Sequence, residues 1–233
     1  MTLDSFLDGQ VILIDKPLNW TSFQVVNKLR WAIRSAYKIK KIKVGHAGTL
    51  DPLASGLLII CTGKMTKQID TFQAQEKTYK GTITLGSTTP SFDLETDIDH
   101  YFPTDHITED LIRNTALQFI GEIEQYPPVF SAIKKDGKRL YEFARSGEKV
   151  DIKPRTITIS EFEISTIADL QVGFKVVCSK GTYIRSLAHD YGKALNSGGH
   201  LSELRRTKIG AFDVKDALTI ENFLEKLDSE VKG

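Results

Sequence analysis

Apolar positions along this chain follow two periods, and the switches between them mark the elements. Val11, Ile12, Leu13 and Ile14 form a short continuous run that predicts a buried strand, ended by the turn signal Asp15-Lys16-Pro17. Thr21 with Gln24 three residues on makes a capping box, and Trp20 is placed to staple onto Val25. A helix is therefore predicted from there to about Arg34, with Phe23, Val26 and Ile33 near one face. Residues 38–43 carry Lys38, Lys40, Lys41 and Lys43. They read either as a solvated edge strand guarded by lysines or as an edge that faces phosphates. A second apolar run at 57–61 predicts a fully buried strand, after which Gly63 and Lys64 turn the chain into a short helix through Phe72.

Clean alternation over 77–85 puts Tyr79, Gly81, Ile83 and Leu85 on one face of a half-buried antiparallel strand. Residues 87–99 read as a polar, acidic loop. Thr108 caps a predicted helix carrying Leu111, Ile112, Leu117, Phe119 and Ile120, with Gly121 as its stop. Lys135-Asp136-Gly137-Lys138 is a hairpin-type turn, and a short helix is expected over 140–145. Residues 155–164 and 171–178 alternate as two more strands. Gly181-Thr182 opens a helix whose core stripe is Ile184, Leu187, Ala188, Tyr191 and Leu195. Arg185 lies one step off that stripe, where a surface arginine is the ordinary expectation. Gly198-Gly199 marks a loop before a basic, strand-like stretch at 201–208, and a last amphipathic helix follows Thr219. Helices and strands mix without regular βαβ alternation, which predicts one α+β domain over 1–233 with a mixed, largely antiparallel central sheet flanked by helices.

Composition narrows the function classes. With 40% hydrophobic and 26% charged residues the chain is no disordered polymer. Its 31 basic and 30 acidic residues leave a formal charge of +1, so any nucleic-acid role must rest on local patches. Cys61 and Cys178 sit in apolar runs as expected buried thiols, and so low a count suits a reducing compartment. No Cys/His spacing matches a zinc site, and the start has no basic leader. The 57–61 run is far shorter than the ~18 residues that span a bilayer, so a cytoplasmic protein is expected.

The most informative stretch is Gly-His-Ala-Gly-Thr-Leu-Asp-Pro-Leu-Ala-Ser-Gly at 45–56. Three glycines and a proline make it a folded loop, and Asp51 is its only carboxylate. A carboxylate held against the core needs a partner, and it serves either structure or catalysis. Alone, Asp51 reads as an Asp-Pro turn or a helix cap, and His46 as a hydrogen-bonded loop histidine.

That stretch resembles the signature of the TruB-type tRNA pseudouridine synthases. Lys77-Thr78-Tyr79, the segment 126–141, the string from Cys178 through Arg185, and Leu204-Arg205-Arg206 agree in order and spacing. The resemblance covers nearly the whole chain. It implies the pseudouridine-synthase fold and isomerisation of uridine to pseudouridine at position 55 in the T loop of tRNA, on a flipped-out base. By it, Asp51 matches the catalytic aspartate, Tyr79 the tyrosine stacked on the uracil, and Arg185 the arginine paired with the aspartate. His46, Tyr183 and Leu204 fall on substrate-contact positions. Ala47 stands where relatives often carry a threonine. The chain also ends about where many bacterial relatives continue into a PUA-type RNA-binding domain, so a short form that recognises the T arm is expected.

The chemistry suits those residue types. The reaction breaks the C1′–N1 glycosidic bond, turns the base and rejoins it through C5, exchanging nothing with a cofactor, so no cofactor or metal is expected. A carboxylate must attack the nucleotide or stabilise charge at C1′. Burial can raise an Asp pKa from ~3.9 by ~3–5 units, and an adjacent arginine lowers it by ~1–3, which gives Arg185 its physical reason. Attack at C1′ or at C6, and proton removal by Tyr79 or by water, both remain open in the sequence. Basic clusters at 38–43, 134–139 and 205–208 are expected to contact phosphates around the site. The expected partner is the T arm of tRNA, with no membrane, no obligate protein partner and a monomeric state. A tRNA-binding or folding factor acting on the T arm without chemistry is the alternative. An aspartate-nucleophile hydrolase of phosphate esters is a third reading, but it would need a metal-binding carboxylate cluster that is not evident.

Overall fold

A computed structural model describes residues 2–131, 134–135, 137–139, 142–143 and 150–232. In chain order the elements are α1 (Leu3–Asp8), β1 (Val11–Lys16), α2 (Ser22–Ala36), β2 (Val44–His46) and β3 (Ala54–Thr62). A 3-10 turn (Gly63–Gln68) leads to α3 (Ile69–Ala74), β4 (Lys77–Leu85), β5 (Ser87–Thr88), β6 (His100–Tyr101) and α4 (Glu109–Leu117). Then come β7 (Gly121–Gln125), β8 (Lys134–Lys135), β9 (Lys138–Arg139), β10 (Arg155–Ala168) and β11 (Gln171–Cys178). The chain finishes with α5 (Ile184–Ala194), β12 (Gly199–Ile209), β13 (Phe212–Asp213) and α6 (Ile220–Lys232). Two compact units carry them, 1–79 with 205–233, and 80–204; β4 and β12 contribute residues to both.

In the first unit β3 is the central strand. It pairs antiparallel with β1, from Val11↔Cys61 to Lys16↔Gly56, and with β2, from Val44↔Thr62 to His46↔Ile60. Its continuous apolar run is buried on both faces. Leu58 and Ile60 face a cluster of Ile12, Ile14, Leu29 and Phe223, while Leu57, Ile59 and Cys61 face Ala47 and Ile209. Thr21 and Gln24 form the expected capping box, and α2 presents Val25, Val26, Leu29, Ala32 and Ile33 to the core. Phe23 falls off that stripe and is 63% exposed. Asp15 and Lys16 continue β1 rather than turning, because Lys16 keeps the inward phase of Ile12 and Ile14. Residues 38–43 form no strand: Lys38 adopts φ +53°, and pairing begins only at Val44.

In the second unit β10 is flanked by β11, paired from Ile159↔Cys178 to Ala168↔Gln171, and by β7, paired from Arg155↔Gln125 to Ile159↔Gly121. Both pairings are antiparallel, whereas parallel bridges join Asp93 to Leu201 here and Ile14 to Leu218 in the first unit. The fold is thus α+β with a mixed sheet flanked by helices. Tyr79, Ile83 and Leu85 are buried on alternate positions of β4, as predicted. All five stripe residues of α5 are buried, and Tyr191 donates its hydroxyl to the Ile112 carbonyl at 2.5 Å. Strand β7 was not foreseen: α4 ends at Leu117, and Gly121 at φ +110° starts a strand instead of stopping a helix. The 87–99 loop is not solvated at its start, since Ser87, Thr88, Thr89, Ser91 and Asp93 are buried. The predicted hairpin joins β8 to β9, with Lys135 opposite Lys138. Most of the expected 140–145 helix and the side chains of that lysine-rich turn lie outside the described residues.

Candidate active site

The 45–56 motif folds as a hairpin rather than a free loop. Its flanks enter β2 and β3, and residues 47–53 form the tip that carries half-buried Asp51. Ala47 N–H donates to Ile59 at 2.9 Å, Ala54 N–H to the Asp51 carbonyl at 3.1 Å, and Asn19 N–H to Pro52 at 2.8 Å. On one side Ser22, the first residue of α2, donates its hydroxyl to the Leu50 carbonyl at 3.0 Å and accepts the Leu50 N–H at 2.8 Å. On the other side Arg206, 1% exposed, spreads its guanidinium over three carbonyls. It reaches Leu57 at 2.8 Å, Gly48 at 3.0 Å and Thr49 at 3.4 Å. Gly56 makes that approach possible: at φ +104° a Cβ there would sit 2.2 Å from the Arg206 carbonyl.

Charge around the tip comes from a residue the sequence reading placed in a turn. Lys16 is fully buried and donates to the carbonyls of Pro17 at 2.9 Å and Trp20 at 2.5 Å. Burial lowers its pKa from 10.5 to about 8, opposed by the Asp51 carboxylate and assisted by the Arg206 charge. The charges of Lys16 and Asp51 thus act on one another. The signal for this lysine was present in the period-two phase of Ile12, Ile14 and Lys16. His46 is held below its ordinary value by burial and then by Arg206, so its imidazole is neutral near pH 7, and its Nδ1 is buried without a hydrogen-bond partner among the described residues. Tyr79 is buried on β4, where the neighbouring Thr78 carbonyl accepts from Thr207 at 3.2 Å.

The basic string at 205–208, expected to meet phosphates, is largely occupied inside the protein. Arg205 grips Asp15 through both nitrogens at 3.0 and 2.6 Å, Arg206 is the latch just described, and Lys208 lies 3.6 Å from Asp213.

In the second unit the start of α5 is positioned by Gln125. Its side-chain amide accepts the Tyr183 N–H at 2.8 Å and donates to the Tyr183 carbonyl at 3.0 Å. Arg155 lies 5.3 Å from the centroid of the Tyr183 ring. Arg185 follows in the first turn and is 5% exposed, not the surface residue its offset from the stripe suggested. It donates to the carbonyls of Ser91 at 3.2 Å and Phe130 at 2.9 Å, and its Nε lies 3.6 Å from the Asp93 carboxylate. Asp93 carried no distinguishing signal in the sequence. Leu204 is half-buried on β12. The first unit thus gathers Asp51, Lys16, His46 and Arg206, and the second gathers Tyr183, Arg185 and Asp93. Among the described residues no group of three His, Cys, Asp or Glu side chains could hold a metal, and no helix is long and apolar enough to cross a membrane.

Residues 34–184 match the N-terminal domain of the TruB family pseudouridylate synthases, and residues 185–231 match the C-terminal domain of tRNA pseudouridylate synthase B. The tRNA pseudouridine synthase B of Flavobacterium johnsoniae is 62% identical over 228 residues, covering 97% of this chain and 100% of that one. The protein of the same name from Phocaeicola vulgatus is 55% identical over 226 residues, covering 97% and 96%. Among solved structures, a chain of a Cbf5-Nop10-Gar1 complex superposes with a TM-score of 0.71 at 32% identity over 94% of this chain. An H/ACA RNP bound to a substrate RNA containing 2′-deoxyuridine gives 0.68 at 29% identity over 94% of this chain. This chain spans about half of those two, 54% and 53%. The fold and the sequence together define a pseudouridylate synthase. Within that class, the chain belongs to the TruB family.

Proposed function

We propose that this protein isomerises uridine to pseudouridine at position 55 in the T loop of tRNA, with Asp51 as the nucleophile. The Asp51 carboxylate bonds to the nucleotide and the C1′–N1 bond breaks. The base turns, C5 bonds to C1′, the bond to Asp51 breaks to restore the carboxylate, and C5 loses its proton while N1 gains one. Atoms balance without a cofactor. Tyr79 offers a flat face for an extruded uracil, as RNA-binding aromatics commonly do. His46, Tyr183 and Leu204 contact the RNA, and Arg185 serves as the cation that pairs with the aspartate. The enzyme acts as a cytoplasmic monomer on the T arm, without a membrane or an obligate protein partner.

One observation carries this reading. The only carboxylate of the TruB-like motif sits on a tip fixed from both sides, by Ser22 and by Arg206. Fixed geometry at a nucleophile lowers the orientational part of a barrier.

The test is a tRNA transcript incubated with the protein alone, followed by mapping of pseudouridine. Position 55 should convert with the wild type. Asp51→Asn should bind the transcript and convert none of it; full conversion by that variant overturns the proposal. A folding factor without chemistry would treat both proteins alike.

A further inference from the structure

The first unit contains a basic concavity that the proposed chemistry does not use. Its volume is about 710 Å³, and it is lined by Arg30 and Arg34 of α2, Lys64 and Lys67 of the 3-10 turn, and the lysines at 40, 41 and 43. Among the described residues, no acidic one lines it. Lys64 is bound to Asp8 at 2.8 Å, and Arg30 is fixed by Asn27 and by the Val44 carbonyl, each at 2.9 Å. Arg34, Lys67 and the three lysines of the 40–43 stretch form no ion pair among the described residues. So much unneutralised charge in a chain of net +1 is concentrated, not average.

The walls are built. Gly63, at φ +49°, would place a Cβ 2.1 Å from the Leu7 carbonyl, so only glycine lets the turn pack under α1. Its N–H donates to the Lys43 carbonyl at 2.9 Å, joining the lysine stretch to the 3-10 turn. This junction lies at the open end of the β2/β3 hairpin, and Asp51 lies at the closed end. Eight steps of β3, from residue 54 to 62, separate them by about 26 Å at ~3.3 Å per residue.

We infer that this concavity binds phosphate groups of the substrate RNA's backbone, as a second anchoring point some 26 Å from the reacting nucleotide. Clustered lysines and arginines without carboxylate partners suit repeated phosphates, and an RNA helix can span such a distance. The 38–43 cluster therefore does not surround the aspartate; it holds a remote part of the same substrate. The inference rests on the proposed tRNA reading for the identity of the RNA.

The test uses the full chain and the double variant Arg34→Ala/Lys67→Ala, both positions being exposed. Two substrates are compared, whole tRNA and an isolated T-arm stem-loop, the shorter of the two. The variant should bind whole tRNA more weakly, on the order of tenfold, with a salt dependence shallower by about two. Its kcat on tRNA and its turnover of the stem-loop should match the wild type. Arg34→Lys/Lys67→Arg should restore tRNA binding. Wild-type affinity and salt slope in the alanine variant overturn the inference, as does an equal loss on both substrates. Inorganic pyrophosphate is the third probe: it should compete with whole tRNA, and tight pyrophosphate binding that leaves tRNA binding untouched would assign the site to a free phosphate compound instead. Should neither protein make pseudouridine, the proposed function fails, while the binding and salt data still decide this inference.

Discussion

Ser22 Oγ brackets the peptide of Leu50, donating to its carbonyl at 3.0 Å and accepting from its N–H at 2.8 Å. Both bonds are buried, and the next residue is Asp51. The hydroxyl of the first residue of α2 thereby does for the hairpin tip what a neighbouring strand would do, and it ties a capping-box helix to the carboxylate.

Ser22→Ala should leave both Leu50 groups without a partner in a dry site. Such groups cost ~1–3 kcal/mol. The expected result is a loss of unfolding free energy of that order and a fall in kcat greater than the change in KM, since the tip's position, not RNA contact, is lost. Urea unfolding and steady-state turnover of the same preparation check it.

Arg206 satisfies three carbonyls of the hairpin from a fully buried position. Its planar fork supplies donors in divergent directions, which an ammonium cannot match from one point. Arg206→Lys is therefore expected to fail as a replacement. It should lose on the order of 3 kcal/mol in stability and most of the activity, comparable to Arg206→Met. Rescue by lysine in a thermal melt and a turnover assay would show that charge alone suffices there.

The two arginines at 205 and 206 show where sequence reading reaches its limit. Their basic character suggested phosphate contacts, yet one grips Asp15 and the other the motif's own backbone. Charge in a sequence says nothing of the distant partner that neutralises it. Periodicity was a better guide: the α5 stripe, the β4 alternation and the doubly buried β3 all appear in the pattern, because each element alone fixes which side chains turn inward. Phase also gave away Lys16, once the strand is allowed to run past Ile14. Arg185 shows the opposite failure, since its burial depends on carbonyls at Ser91 and Phe130 that no local pattern announces.

Arg185 and Asp93 are both buried, 3.6 Å apart, in the second unit. Removing one partner of a buried pair typically costs ~3–5 kcal/mol when the other charge is left with no counter-ion, and less where other groups still hold it. Asp93→Asn keeps the shape and the acceptor for the Glu95 N–H, now 3.0 Å away, while deleting the charge. The variant should lose stability at the low end of that range or below it, with the carbonyls of Ser91 and Phe130 still holding the guanidinium. A guanidinium titration checks it through the midpoint, provided the slope is unchanged.

Lys16 gives the protein a pH signature in which stability and activity move in opposite directions. Its folded pKa is about 8, lowered from 10.5 chiefly by burial. Between those values the unfolded chain holds the proton and the folded protein releases it, so folding stability rises with pH through this window. The gain for this one group is about 3 kcal/mol, complete near pH 10.5 and absent well below pH 8. Over the same window the Lys16 ammonium, whose charge acts on the Asp51 carboxylate, is lost, so kcat should fall as pH rises through about 8. Lys16→Met should flatten both profiles, with turnover already low at pH 7. Urea midpoints and rates at half-unit steps from pH 7 to 10 would check this, and a wild-type rate profile that the methionine variant reproduces would show that Lys16 charge plays no part.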